Sequence, residues 1–224
     1  MTAVTGADLC HVDTWLFDLD NTLYPLESGL GLDISERITR YVERLTGLPR
    51  DEAHALQKRY LDQHGLTLKG LMLNHGVDPD EYHQTFADLP LEALARDAGL
   101  VAAIERLPGR RLIFTNADAG HARRVMDHLG LHEVFDEVFH IESAGFVPKP
   151  DPQAFSTLIA AHSVEPRTTA FFEDRALNLE PAAALGMTTV LVGLDAADNT
   201  DPFVTYRAPR LAPFLLSARV KETV

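Results

Sequence analysis

The sequence predicts an α/β fold: a Rossmann-like parallel sheet flanked by helices, with an all-helical cap inserted after the first strand. Three observations predict it. Short apolar, partly β-branched runs alternate with helical patterns, two of these runs stop at paired acids, and from Asp33 to about Leu107 only helical signals occur. Alternating strands and helices imply parallel pairing with both faces covered, and such sheets gather ligands at the carboxyl ends of their strands.

In chain order, residues 11–17 (HVDTWLF) read as a buried strand that ends at Asp18 and Asp20. Further strands are expected at 112–115, 138–141, 170–172 and 188–192. Helices are expected between them at 119–129, 152–161 and 177–185; the first carries Ala122, Val125, Met126 and Leu129 at three- and four-residue spacing. Within the insertion, Asp33 and Glu36 read as a capping box opening a helix that carries Ile34, Ile38, Tyr41, Val42 and Leu45. Pro49, Gly65, Gly76, Pro79 and Pro90 then punctuate shorter helices. The chain thus divides into a core of residues 1–24 and 108–224 and a cap of residues 25–107 over the sheet's carboxyl edge. The tail suggests a short strand at 203–206 and a final helix at 211–220.

Bulk properties narrow the partners. No apolar stretch approaches the ~18 residues needed to span a bilayer, and the first eleven residues lack the basic-then-apolar pattern of a targeting signal. Cys10 is the sole cysteine, so an internal disulfide is impossible and a cytoplasmic location is expected. Thirty-three acids against twenty Lys and Arg give a formal charge of −13, which repels a nucleic-acid backbone. A small anionic substrate remains compatible, because a local cation reverses the sign of a pocket. A monomer and a homodimer fit equally well.

Four clusters carry chemistry. Asp18 and Asp20, two apart at a strand end, project toward the same side; such a pair persists when one is protonated or a cation sits against it. The alternative is an ordinary turn and helix-start signal. Thr115 and Asn116 follow another strand and can donate to a phosphate oxygen, or simply cap the next helix. Lys149 lies between two prolines that stiffen its backbone, which fixes a cation in place, although most lysines are solvated surface charges. Glu173 and Asp174 end a further strand, and hard oxygen ligands from two strand ends suit magnesium. The ten histidines include no His-Glu-x-x-His pattern, and no glycine-rich phosphate loop follows the first strand, which disfavours zinc, dinucleotide and P-loop chemistry.

The order Asp-x-Asp, Thr, Lys, Glu-Asp is more specific than any member of it. FDLDNTLY (residues 17–24), FTNA (114–117), KP (149–150) and FFED (171–174) resemble the four motifs of the haloacid dehalogenase superfamily, and the helical insertion resembles its cap. The resemblance implies a phosphohydrolase in which Asp18 is the nucleophile, Asp20 the general acid and base, and Thr115 and Lys149 the phosphate-holding residues. It implies magnesium held by Asp18, the backbone carbonyl of Asp20 and Asp174, with Glu173 ligating directly or through water and Asn178 in support. Asp20 must carry a proton when the alcohol leaves, so a raised pKa is expected from burial beside Asp18. Arg175 departs from the pattern, since relatives with this form of the last motif carry a small hydroxyl residue there.

The first motif, the cap segment GLTLKGL (65–71) and FFED-x-x-x-NL (171–179) look like the pyrimidine 5′-nucleotidase branch. That likeness implies a pyrimidine nucleoside 5′-monophosphate or another small phosphorylated metabolite as substrate. Thr67 and Lys69 then reach it from the cap, with Tyr24 at the pocket mouth; alternatively Thr67 caps a short helix and Lys69 faces water. A sugar phosphomutase and a non-catalytic phosphate-binding protein are the competing readings, whereas a dehalogenase has no need of the acid at Asp20. A receiver module lacks a helical cap after its first strand.

Overall fold

The computed structural model describes residues 6–222. Its six strands are β1 (Thr14–Phe17), β2 (Arg110–Phe114), β3 (Glu137–Phe139), β4 (Thr169–Glu173), β5 (Thr188–Val192) and β6 (Tyr206–Ala208). They form one sheet in the order β3-β2-β1-β4-β5-β6, and every neighbouring pair is parallel. The chain winds outward from β1 to β3, then returns to the other side of β1, so a crevice opens at the carboxyl ends of β1 and β4. Register sets the depth of each functional group: Phe17 pairs with both Ile113 and Phe172. Asp18 therefore lies abreast of Glu173, with Thr115 one residue further along β2.

Between β1 and β2 come α1 (Leu30–Thr46), α2 (Arg50–His64), α3 (Thr67–His75), α4 (Pro79–Gln84) and α5 (Ala98–Glu105). Later crossovers supply α6 (Ala119–Leu129), α7 (Pro152–His162) and α8 (Ala176–Ala184), and α9 (Leu211–Ser217) follows β6. The central strands are apolar on both faces because both are covered. Trp15, Phe17, Ile113 and Phe172 pack under α5, α6 and α9. Leu16, Leu112, Phe114 and Phe171 pack under α7 and α8. Helices α1 to α4 bury a separate cluster that includes Val42, Leu56, Tyr60, Leu71, Tyr82 and Phe86. Helix α5, although inside the segment 25–107 read as cap, packs its Leu100, Ala103 and Ile104 with the sheet cluster instead.

Several expected boundaries move. The first helix of the insertion starts at Leu30, behind Gly29 in a left-handed conformation (φ 82°), so Asp33 lies within its first turn and caps nothing. Glu36 pairs with Arg40 and Arg50 rather than closing a capping box. The last strand begins at Tyr206, not 203, because the Thr189 hydroxyl donates to the Phe203 carbonyl and accepts from the Thr205 amide, replacing ladder bonds there. The final helix stops at Ser217 because the chain turns extended at Ala218, and Arg219 pairs with the backbone of Ala7 and Leu9.

Gly70 fixes how closely α2 and α3 approach. A Cβ at this position would lie 2.4 Å from Cγ of Tyr60, a ring carbon that cannot swing away. Gly70→Ala should therefore destabilise the protein by ~1–3 kcal/mol through overpacking, although alanine in an open helix would gain about 1 kcal/mol. Urea unfolding measures the sign directly, and a stabilised variant would show that the two helices separate freely.

Candidate active site

The carboxyl edge carries a buried ionic cluster around Lys149, which is fully buried. Its Nζ donates to Asp18 Oδ1 at 2.7 Å, Glu173 Oε2 at 2.8 Å and the Phe114 carbonyl at 2.7 Å. The rings of Phe114 and Phe171 flank the ammonium at 5.0 and 5.3 Å. Burial alone would push this lysine's pKa down; the charges of Asp18 and Glu173 reverse that and hold it above its ordinary value. Asn116 secures the loop that delivers Lys149. Its Oδ1 accepts from the Lys149 amide at 2.9 Å and its Nδ2 donates to the Lys149 carbonyl at 3.1 Å, so it clamps that backbone, while it also lines the cavity with a second Nδ2 proton unspent. Thr115 is buried at the cavity floor, and its Oγ1 accepts from the Ala117 amide at 3.0 Å, which leaves the hydroxyl proton free to donate.

Asp18, Glu173 and Asp174 each direct an oxygen into one cluster whose atoms lie within 4.8 Å of one another. Burial and the Glu173 charge push Asp18 up to about 7 despite the opposing Lys149. Burial, then Glu173 and Asp18, push Asp174 up to about 9. Glu173 resists its burial, because Lys149 holds it below the usual carboxylate range. Both its oxygens are engaged, Oε2 by Lys149 and Oε1 by the Arg175 amide at 3.1 Å. Asn178 is buried beside the cluster with its Oδ1 unpartnered among the described residues. Crowded carboxylates of raised pKa and an orphaned amide oxygen are what a hard cation relieves, so the donor set fits magnesium.

Asp20 differs from expectation. Its Oδ1 accepts from the Tyr24 hydroxyl at 2.5 Å and faces His121 Nε2 at 2.8 Å. Burial would raise its pKa, yet the His121 charge and the two hydrogen bonds outweigh that and hold it below the ordinary value. His121 is correspondingly raised: burial pulls it down, and Asp20 more than compensates. Its partners thus favour the carboxylate form of Asp20, opposite in direction to the raised pKa expected from burial. His121 was not singled out from sequence. It was legible as the polar member of the buried stripe on α6, four residues before Val125, at the helix start after a motif strand.

A cavity of about 220 Å³ joins this edge to the cap. Ile34, Ile38, Leu66, Leu68 and Phe86 face it from above, with Tyr82 and His83 as the polar members of that wall. His83 Nδ1 lies 3.8 Å from Glu142 Oε1 across the seam between cap and core. Thr67 and Lys69 do not line the cavity. Thr67 is buried within the cap, where its hydroxyl donates to the Gln57 carbonyl at 3.1 Å; Leu66 occupies the capping position. Tyr24 likewise lies below the mouth, buried and bonded to Asp20.

Residues 12–186 match the haloacid dehalogenase-like hydrolase family. The chain is 30% identical over 193 residues to Phosphate metabolism protein 8 of Saccharomyces cerevisiae, covering 79% of this chain and 60% of that one. It therefore spans about three-fifths of that relative's length. Among solved structures, a HAD phosphatase from Thermococcus onnurineus superimposes with a TM-score of 0.61 at 20% identity, covering 88% of this chain and 94% of that one. An L-2-haloacid dehalogenase from Xanthobacter autotrophicus with chloropropionic acid covalently bound gives 0.57 at 16% identity, covering 92% and 97%. These two likenesses concern the fold. Among the described residues, no helix is long and apolar enough to cross a membrane.

Removing the central cation exposes how the cluster is balanced. Lys149→Ala should destabilise the fold by roughly 3–5 kcal/mol at neutral pH, since it leaves buried carboxylates without their partner. Combining it with Glu173→Gln should recover part of the loss in urea unfolding. Additive losses in the double variant would mean that the two side chains do not interact.

Proposed function

Since the chain belongs to the haloacid dehalogenase-like hydrolase family, we propose that it is a magnesium-dependent phosphomonoesterase working through an aspartyl phosphate on Asp18. One observation carries the choice of phosphoryl transfer over dehalogenation: a second acid, Asp20, lines the same cavity and is held by two dedicated partners, Tyr24 and His121. A carboxylate displacing halide has no leaving alcohol to protonate and no use for that arrangement.

In the first half-reaction an Asp18 oxygen attacks phosphorus, forming the acyl-phosphate bond as the bond to the leaving oxygen breaks. Lys149 holds Oδ1 and fixes the carboxylate's orientation for in-line attack. The departing oxygen takes a proton through Asp20, and His121, in contact with Asp20 Oδ1, is placed to supply it. In the second half-reaction Asp20 removes a proton from water as the water attacks the acyl phosphate, freeing Asp18 and releasing phosphate. Asp18, Asp174 and the Asp20 carbonyl would hold magnesium, which would neutralise the phosphoryl oxygens when bound. Glu173 serves chiefly to anchor Lys149.

The substrate we favour is a pyrimidine nucleoside 5′-monophosphate, within the broader class of small phosphomonoesters. The cap wall carries no permanent charge, so it suits a neutral leaving group with a flat apolar face, and Tyr82 and His83 offer it polar contacts. Limited volume beneath the cap favours a single-ring base.

A panel of phosphorylated metabolites assayed for phosphate release should give turnover that stops with chelator and returns with magnesium. Uridine and cytidine monophosphates should exceed adenosine monophosphate. Equal turnover of the purine would remove the base preference, and full activity in chelator would remove the metal. Asp18→Asn should retain less than roughly a hundredth of wild-type turnover with the fold unchanged. Asp174→Ala should raise the magnesium requirement more than Glu173→Ala, and the reverse order would make Glu173 the principal ligand.

A further inference from the structure

A second group of metal-ligating side chains lies apart from the strand-end cluster. His83 of α4, Asp118 at the capping position of α6 and Glu142 in the loop after β3 each bring a ligand atom within 4.8 Å of the other two. Two belong to the core and one to the cap, and His83 and Asp118 also line the cavity. The three stand on separate chain segments, so no short motif announces them, and the absence of a His-Glu-x-x-His pattern does not bear on them.

The core holds its two acids in place. Asp118 Oδ1 accepts from the His121 amide at 2.9 Å, which leaves Oδ2 uncommitted among the described residues. Glu142 accepts from the Ala119 amide at 3.3 and 3.2 Å, and its Oε2 faces His140 Nδ1 at 2.7 Å. Neither acid pairs with a lysine or arginine among the described residues. From the cap, His83 Nδ1 lies 3.8 Å from Glu142 Oε1, too far for a hydrogen bond. Among the described residues neither nitrogen of this half-buried ring makes a hydrogen bond at all, while Phe146 stacks on its face with centroids 6.4 Å apart at 27°. An imidazole is thus oriented toward two carboxylates with nothing between them.

We propose that His83, Asp118 and Glu142 form a binding site for a divalent transition-metal ion of the zinc class, separate from the Asp18, Glu173 and Asp174 cluster, and that the ion joins the cap to the core. One imidazole with two carboxylates suits zinc, whereas magnesium prefers oxygen alone. Ligands about 2.1 Å from a tetrahedral ion stand roughly 3.4 Å apart, so small side-chain rotations close the set. His140, against Glu142 Oε2, is the positioning residue for that ligand. Such a site stands whether or not the strand ends hydrolyse phosphomonoesters.

Equilibrium dialysis of the full chain against zinc, with magnesium in excess, tests the site without recourse to activity. Wild type should bind zinc, and so should Asp174→Ala. His140→Ala should weaken binding by about 10- to 100-fold, the range for a group that orients a ligand, and His83→Ala and Glu142→Gln should weaken it further. Zinc should raise the thermal midpoint of wild type and leave that of His83→Ala unmoved, because an ion that binds only the folded chain stabilises it. It should also slow amide exchange in α4 of wild type alone. Should Glu142→Gln uncap α6 and fail to fold, His83→Ala, which removes no hydrogen bond, decides the matter. Zinc that is kept by His83→Ala and lost by Asp174→Ala would put the ion at the strand ends and overturn the proposal. Wild type that binds no zinc would do the same, and bound zinc that leaves exchange in α4 unaltered would remove the link between cap and core.

Discussion

A buried ammonium between two carboxylates is the constraint on which the rest of this structure depends. Lys149 cannot be left alone in an interior that excludes water, and neither can Asp18 or Glu173; each makes the others tolerable. The sheet supplies the register that brings them together. Parallel pairing of β1 with β4 sets Asp18 abreast of Glu173, and β2 on the other side contributes the Phe114 carbonyl as the third acceptor. The loop bearing Lys149 comes from beyond β3 and needs the Asn116 clamp to arrive at the right depth. Three strand ends and one loop thus converge on a single nitrogen atom.

The same cluster explains why the neighbouring acids behave unequally. Glu173 has Lys149 and a backbone amide, which hold it below the usual carboxylate range. Asp174 has neither and is driven upward by its neighbours, which leaves it the group with most to gain from a metal ion. Asp20 escapes the competition altogether because His121 and Tyr24 hold it. Four acids within one cavity are thereby set apart in proton affinity by their partners, not by their own chemistry.

Much of this was legible in the sequence. The strand-end acids, Thr115 and Lys149 stand where apolar runs stop or rigid prolines flank a cation, and strand 188–192 and helix 119–129 carry periodicity strong enough to fix their limits. What was not legible depended on partners distant in sequence. The low pKa of Asp20 comes from a histidine 101 residues away, and burial alone points in the wrong direction. Thr67 looked like a cavity donor because its neighbours fit a motif, but the helix it begins turns its hydroxyl toward the Gln57 carbonyl inside the cap. The start of α1 was misplaced because Asp33 and Glu36 satisfy a capping pattern, while a left-handed Gly29 upstream had already begun the helix.

Most apolar residues of α1 to α4 are buried in a cluster of their own, with Leu30 and Ile34 of α1 as the links to the sheet cluster, and this partial separation bears on inheritance. In the proposed reaction the wall that would meet a leaving group is built on helices α1 to α4, while the groups that would make and break bonds stand on strand ends. Changes at most of that wall would draw on the cap's own cluster, whereas changes at Ile34, which packs against both clusters, or at Gly65, which lies against the Lys149 carbonyl, would reach the core as well. Under the proposed function, chemistry and choice of substrate would rest on largely different packing clusters, so the one could drift toward new compounds while the other is held by its own electrostatics.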